Sequence, residues 1–328
     1  MTDFARLNLI GRSRSFLDAL TLIEKFAACE HVVLIQGETG TGKELAARAI
    51  HYLGERRRFP FIPVNCGALP DALVESELFG HVRGAFTDAR ESRPGIISQA
   101  RGGTLFLDEI EGMSMRAQVA LLRFLQDREY RPVGGTSTMA SDVRVMGATN
   151  ADLQSMVRKG NFRADLLFRL NVLTVHLPPL RERHGDVMLL AGHLLERLNR
   201  ESRGPAKSLH AESEATLIAH SWPGNVRELE NLMLRRYVLE SGPVIRIRSV
   251  EEEFGRGEAH SSPEVPDNGF KTAKAKAIAA FEQSYIAALL SKSGGNLSLA
   301  SRLSGKDRSD LSKLLRKHGI QRQQFQRN

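Results

Sequence analysis

The stretch Gly37-Glu38-Thr39-Gly40-Thr41-Gly42-Lys43-Glu44 limits what this chain can fold into more than any other. Ahead of it lies His31 to Gln36, a short β-branched apolar run, and behind it Leu45 to His51, of helical composition. The order is strand, glycine loop, helix. Glycines at 37, 40 and 42 let the backbone bring its N–H groups onto an anion at a helix N-terminus, and Lys43 can reach terminal phosphates. Loops of this kind usually carry Ser or Thr after the lysine, as a magnesium ligand. Here the residue is Glu44, whose carboxylate cannot copy a neutral hydroxyl beside phosphates and is expected to point away or act through water.

Four further apolar runs follow at helix-length intervals: Phe61 to Asn65, Gly103 to Glu109, Val143 to Asn150 and Val172 to His176. Leu17, Leu20, Ile23 and Phe26 at helical spacing predict one amphipathic helix before the first strand. Such alternation implies an α/β fold, a parallel sheet covered by helices, with ligand at the C-terminal ends of the strands. The strand that stops in Asp108-Glu109 then sets two acids beside the phosphate loop. Asp108 is expected to organise Mg²⁺ and Glu109 to polarise the attacking water. Asn150, at another strand end, can feel the γ-phosphate or place the water.

Cys29 and Cys66 form no ligand spacing, which argues against zinc and against structural disulfides. No run of 18 apolar residues occurs, and Met1 to Ile10 carries Asp3, Arg6 and Asn8 where a signal peptide needs an apolar core. The expected place is the cytoplasm, without membrane insertion. Of a net charge of +8, residues 271–328 hold 12 Lys/Arg against three acids, so the basic excess sits in the tail and favours a nucleic-acid-binding segment. About 30 residues precede the first strand. That is too few for a separate sensory domain, so control is expected in trans, through the catalytic domain itself or through abundance.

The closest-fitting description is a resemblance. Gly37 to Glu44, Glu77-Leu78-Phe79-Gly80-His81, Gly84 to Ala89, Gly102 to Ile110, Phe162 to Leu170 and Trp222 to Leu229 resemble the AAA+ ATPases that activate bacterial sigma-54 RNA polymerase, over about residues 8 to 240. Glu44 is usual in that family. The resemblance implies ATP and Mg²⁺ at Gly37, Glu38, Thr39, Gly40, Thr41, Gly42, Lys43 and Glu44. It implies Asn65 as the partner that restrains Glu109, and a helical lid whose Arg227 contacts nucleotide. Arg163 and Arg169, read as six residues apart on one helix, resemble arginines that reach a neighbouring subunit's site in a homo-oligomeric, typically hexameric, ring. Locally, Asn225 reads as the N-cap of the lid helix.

The family signature at residues 84 to 89 is Gly-Ala-Phe-Thr-Gly-Ala, whose Phe and Thr touch the sigma factor; Phe86 and Thr87 are kept here and Asp88 replaces the second glycine. Asp88 removes backbone freedom and adds a charge. A second loop, Arg131 to Gly135, is expected to move with the first. The division predicted is 1–175 ATPase core, 176–240 lid, 241–270 flexible linker rich in Gly, Pro and Ser, and 271–328 DNA-binding tail.

In that tail, Ala273 to Ser291 reads as a helix, Asn296 caps a short helix, Ser304-Gly305-Lys306 turns, and Asp307 caps a helix to Lys317 that stops at His318-Gly319. Two short helices around a Gly turn fit a helix-turn-helix, similar to the Fis-type domain that ends such activators. Arg308, Ser309 and Ser312 are the expected base contacts, with Lys313, Arg316 and Lys317 nearer phosphate on double-stranded enhancer DNA. The resemblance as a whole implies a transcription activator that remodels sigma-54 RNA polymerase. Its likeness to the phage-shock activator type leaves room for an inhibitor protein in trans. Two rivals stay open: a DNA-binding repressor or coactivator that keeps the scaffold without remodelling sigma-54, and a remodeller of some other target.

Overall fold

The computed structural model describes residues 4, 7–70, 73–86, 89–202, 204–250, 286, 289–290, 293, 296–304 and 308–317. Expectations that fall on Thr87, Asp88, the linker beyond Val250, most of the helix from Ala273 to Ser291, the turn at Gly305-Lys306, the Asp307 cap and the stop at His318-Gly319 lie outside these residues. The chain divides into two units, residues 1–255 and 256–328.

In the first unit, helix α1 (Arg14–Ala27) precedes β1 (Val33–Gln36), and α2 (Lys43–Leu53) follows the glycine loop. Next come β2 (Phe61–Asn65), α3 (Val74–Phe79), the ribbon β3 (Gly80–His81) and β4 (Arg93–Pro94), α4 (Ile96–Gln99) and β5 (Thr104–Asp108). After α5 (Met115–Asp127) and a second ribbon, β6 (Glu129–Tyr130) and β7 (Met139–Ala140), the chain runs through β8 (Arg144–Thr149), α6 (Leu153–Arg158), α7 (Ala164–Leu170) and β9 (Leu173–His176). Ser114 caps α5 and Asp152 caps α6, each through a side-chain oxygen that accepts a backbone N–H in the first turn.

Five of these strands form one parallel sheet in the order β2-β5-β8-β1-β9. Along β1, Leu34 belongs to the apolar cluster on one face, while Val33 and Ile35 belong to the cluster on the other. In β5, Leu105 and Leu107 oppose Phe106 in the same way. Side chains alternate with period two and both faces are covered, which is why these strands read as unbroken apolar runs. The register sets Asn65 opposite Asp108 and Gln36 beside Thr149, so the functional ends of β2, β5, β8 and β1 converge on one edge.

The lid comprises α8 (Asp186–Glu201), α9 (Ala211–Ala219) and α10 (Asn225–Leu239), with a short parallel pair, β10 (Ser208–Leu209) and β11 (Val244–Ile245). Its core centres on Trp222, fully buried, whose Nε1 donates to the Leu217 carbonyl at 2.9 Å. The expected linker is described as far as Val250, and to that point it packs into the lid: Ile245, Ile247 and Val250 are buried there. A buried ionic knot joins lid to core. Asp186 accepts from Arg12 N, Ser13 N, Ser13 Oγ and Arg183 Nε, and Arg183 also donates to the Ile10 carbonyl while lying 3.7 Å above the Phe16 ring.

In the second unit, α11 (Leu297–Ser304) starts at Asn296, whose Oδ1 accepts from Leu299 N at 3.2 Å. Helix α12 (Arg308–Lys317) buries Leu311 and Leu315 against Leu289, Leu290, Ile286 and Ala300. Leu299 is 37% exposed. Among the described residues no helix is long and apolar enough to cross a membrane.

Candidate active site

The loop after β1 is set between its neighbours: Gly37 N donates to the Thr149 carbonyl and Leu177 N to the Gln36 carbonyl. Gly40 (φ +81) and Gly42 (φ +97) are left-handed, and a Cβ at Gly40 would run into the Gly224 carbonyl. Only glycine fits that approach of loop to lid. Lys43, 8% exposed, donates through Nζ to the carbonyls of Gly37 (2.8 Å) and Glu38 (3.1 Å). Burial pulls its pKa down, against the opposing pull of Asp108, Glu111 and Glu109. Glu44 turns along its helix to Arg48, accepting at 2.7 and 2.9 Å, while the residue still lines the cavity between core and lid.

Asp108 ends β5 and is half-buried; burial pushes its carboxyl up, opposed first by the Glu109 N–H at 3.0 Å and then by Lys43. Glu109 does not continue the strand. Its backbone is left-handed (φ +53, ψ 49), which swings its side chain to Asn65. Asn65 Nδ2 donates to Glu109 Oε2 at 3.0 Å, while its Oδ1 accepts from Gly67 N and Ala68 N, which fixes the orientation of the amide. Asn150, one residue beyond β8, donates through Nδ2 to Thr39 Oγ1 at 3.1 Å.

A cavity of about 420 Å³ opens between core and lid, within the range of small-molecule sites. Thr39 to Glu44, Asp108, Glu109, Asn150 and Arg227 line one part of it, and Asn8, Leu9, Ile10, Leu190, His193, Leu194 and Val226 another. Glu38, expected among the nucleotide ligands, does not line it. Its carboxylate is taken by Arg181, at 2.6 and 2.8 Å, and by Asn225 Nδ2 at 3.1 Å, and these partners lower its pKa to about 2. Asn225 is not the N-cap. Gly224 holds that position, and Asn225 is the first helical residue, fully buried, with φ +53.

Arg163 and Arg169 do not share a helix: Arg163 is the N-cap of α7, with extended backbone, and Arg169 lies in the last turn. Arg163 is clamped by Asp165 through Nε and Nη2 at 3.0 and 2.7 Å, and neither arginine lines the cavity. Phe168 between them is 82% exposed. On the first loop, Gly84 N donates to the Ala89 carbonyl and Ala89 N to the Phe86 carbonyl, and the Phe86 ring meets His81 edge-on at 4.9 Å. Val82 N donates to the Val133 carbonyl and Val133 N to the Gly80 carbonyl, so the bases of the two loops are bonded together. On α12, Arg308, Ser309, Lys313, Arg316 and Lys317 are exposed, while Ser312 is half-buried and spends its hydroxyl on the Arg308 carbonyl at 2.9 Å. Lys313 pairs with Asp310 at 3.3 Å.

Sheet order, phosphate loop, paired acids and lid together define a domain of the AAA+ class. Residues 9–176 match the sigma-54 interaction domain and residues 181–266 the AAA+ ATPase lid domain. The chain belongs to the sigma-54-dependent transcriptional activator family. It is 42% identical to the regulatory protein AtoC of Escherichia coli over 95% of this chain and 68% of that protein. It is 41% identical to the DNA-binding transcriptional regulator NtrC of Azospirillum brasilense over 96% and 70%. The crystal structure of NtrX from Brucella abortus in complex with ATP superposes with a TM-score of 0.72 at 30% identity, over 95% of this chain and 69% of that one.

Sequence reasoning missed Arg181, Glu111 and the residues at the apolar part of the cavity. Glu111 Oε1 accepts from Asn150 N at 3.3 Å, a contact whose only sequence signal was its place two residues after Glu109. The Arg181 contact spans 143 residues and leaves no local signature.

Proposed function

We propose that the chain hydrolyses ATP and uses that reaction to remodel sigma-54 RNA polymerase from DNA-bound, ring-forming copies in the cytoplasm. The observation that carries this reading is the Asn65–Glu109 bond beside Asp108, at the mouth of a glycine loop that holds Lys43. The donor set fits magnesium: Asp108 lines the cavity together with Lys43, and a carboxylate oxygen is the hard donor that ion takes. With ATP bound, Mg²⁺ would neutralise charge on the phosphates, Asp108 being its protein ligand.

The chain's own residues supply the rest. Loop N–H groups and Lys43 receive the phosphates, and Arg227, from the lid, closes on them. Glu109 accepts the proton of the attacking water once Asn65 gives up its carboxylate. Asn150, held by Thr39 and Glu111, aligns that water. Arg163, half-buried, and Arg169, exposed, lie away from this cavity and are suited to reach a neighbouring copy's site, where an arginine can be worth roughly 10³- to 10⁵-fold in rate. Phe86 and Thr87 would then touch the sigma factor, and the basic face of α12 would hold enhancer DNA as the second half of a helix-turn-helix. Residues 1–175 and 271–328 are the proposed core and tail; of the 241–270 segment expected as linker, residues up to Val250 pack into the 176–240 lid, which leaves 251–270 as the proposed linker, and an inhibitor protein in trans is compatible with this arrangement.

The test is one preparation. ATPase activity should rise with protein concentration, and the protein with an ADP–metal-fluoride complex should capture sigma-54. Hydrolysis without capture, not restored by Asp88→Gly, would favour a repressor or coactivator that keeps the scaffold.

A further inference from the structure

We propose that Glu38, Arg181 and Asn225 form a latch that registers the Arg227-bearing helix α10 on the phosphate loop, making them positioning residues for Arg227. The inference rests on the nucleotide reading above. None of the three lines the cavity, yet together they join its two walls.

Arg181 Nη1 and Nη2 donate in parallel to Glu38 Oε2 and Oε1 at 2.8 and 2.6 Å, a two-pronged geometry that fixes direction as well as distance. Asn225 ties three segments at once. Its Nδ2 donates to Glu38 Oε2 (3.1 Å) and to the Thr39 carbonyl (3.0 Å), and its Oδ1 accepts from Leu180 N at 2.7 Å. Next to it, Val226 N donates to the Gly40 carbonyl at 3.0 Å. A Cβ built at Gly40 would lie 3.1 Å from the Arg227 Cβ, so the backbone that carries Arg227 already touches the loop.

Asn225 is fully buried and left-handed, a conformation Asn tolerates and that its surroundings must hold. The Glu38–Arg181 pair is the weaker half, its side chains being 41% and 44% exposed and open to screening by salt. Any tilt of the lid therefore reaches residues 38–40 through Asn225 first.

Asn225→Gly keeps the left-handed backbone and removes the amide. Its kcat for ATP is expected to fall roughly ten- to a hundredfold with KM little changed, the signature of a displaced catalytic group. Arg181→Glu and Glu38→Arg should each lower kcat, Arg181→Glu by about two- to fivefold, and the charge-swapped double variant should recover activity beyond the product of the two. Hydrogen exchange on the nucleotide-free protein should show faster exchange at the Val226 amide in Asn225→Gly and Arg181→Glu. Unchanged kcat in Asn225→Gly, strict multiplicativity in the swap, or unchanged exchange at Val226 would each overturn the latch. A wild-type protein that does not hydrolyse ATP would defeat the proposed function, and exchange at Val226 would then decide the latch by itself.

Discussion

Asn65 and Glu109 are joined by one hydrogen bond of 3.0 Å, although they sit on different strands and Glu109 has already left its own. The parallel register sets Asn65 against Asp108, and the left-handed step at Glu109 turns the next carboxylate back toward the amide. A carboxylate so held is occupied as an acceptor.

Glu109→Gln keeps an acceptor for Asn65 and removes the base. The expected loss in kcat is roughly 10²- to 10⁴-fold with ADP affinity unchanged, read by phosphate release and by nucleotide titration. A variant that hydrolyses normally would remove Glu109 from the mechanism.

Gly40→Ala should damage nucleotide binding and stability more than Gly42→Ala. Both residues are left-handed, at a cost of roughly 1–2 kcal/mol for a residue with Cβ, but only at Gly40 does the added carbon strike the lid, at the Gly224 carbonyl. At Gly42 the nearest atom is Leu45 Cδ1 at 3.9 Å. Thermal melts and titration with a fluorescent ADP analogue give the order of the two.

Asp108 carries a raised carboxyl pKa, so its charged form is worse off folded than unfolded. The penalty is present at pH above the raised value and fades as pH falls through it toward the ordinary carboxylate range. Asp108→Asn is therefore expected to melt higher than the native chain at pH 7.5, with the gap closing as the melts move to acid pH, while ATPase activity is lost at every pH. An Asn variant that melts lower at neutral pH would mean that Lys43 needs the charge more than burial resists it.

Removal of the chain after residue 265 should abolish specific DNA binding and leave ATPase activity in place. Within the full chain, Arg316→Ala should weaken binding to all sequences alike and lower the salt slope by about one, whereas Arg308→Ala should relax specificity. Equal losses of ATPase and DNA binding on truncation would move the proposed boundary.

The phosphate loop, the paired acids and the five strands could be read from the chain because each is local: β-branched runs, glycines at fixed offsets, acids at a strand end. Asn225 could not. A buried left-handed Asn after Pro-Gly looks like an N-cap, and its real partners, Glu38 and Thr39, lie 187 and 186 residues away. Arg163, read as lying on one helix with Arg169, is instead that helix's N-cap, because Gln118 Oε1, 45 residues away, holds the Arg163 N–H at 2.9 Å. The sheet order, with β1 fourth, also needed tertiary contacts.

The Arg183–Asp186 knot has a consequence for how this sequence can drift. Both groups are buried, and losing one would strand the other as a poorly compensated charge, at about 3–5 kcal/mol; replacing both with apolar residues would in turn orphan the N–H groups of Arg12 and Ser13 and the Ile10 carbonyl. The single changes and the paired change therefore all carry a cost. The knot is thus held in place by the chain around residues 10–13 as firmly as by its own two charges.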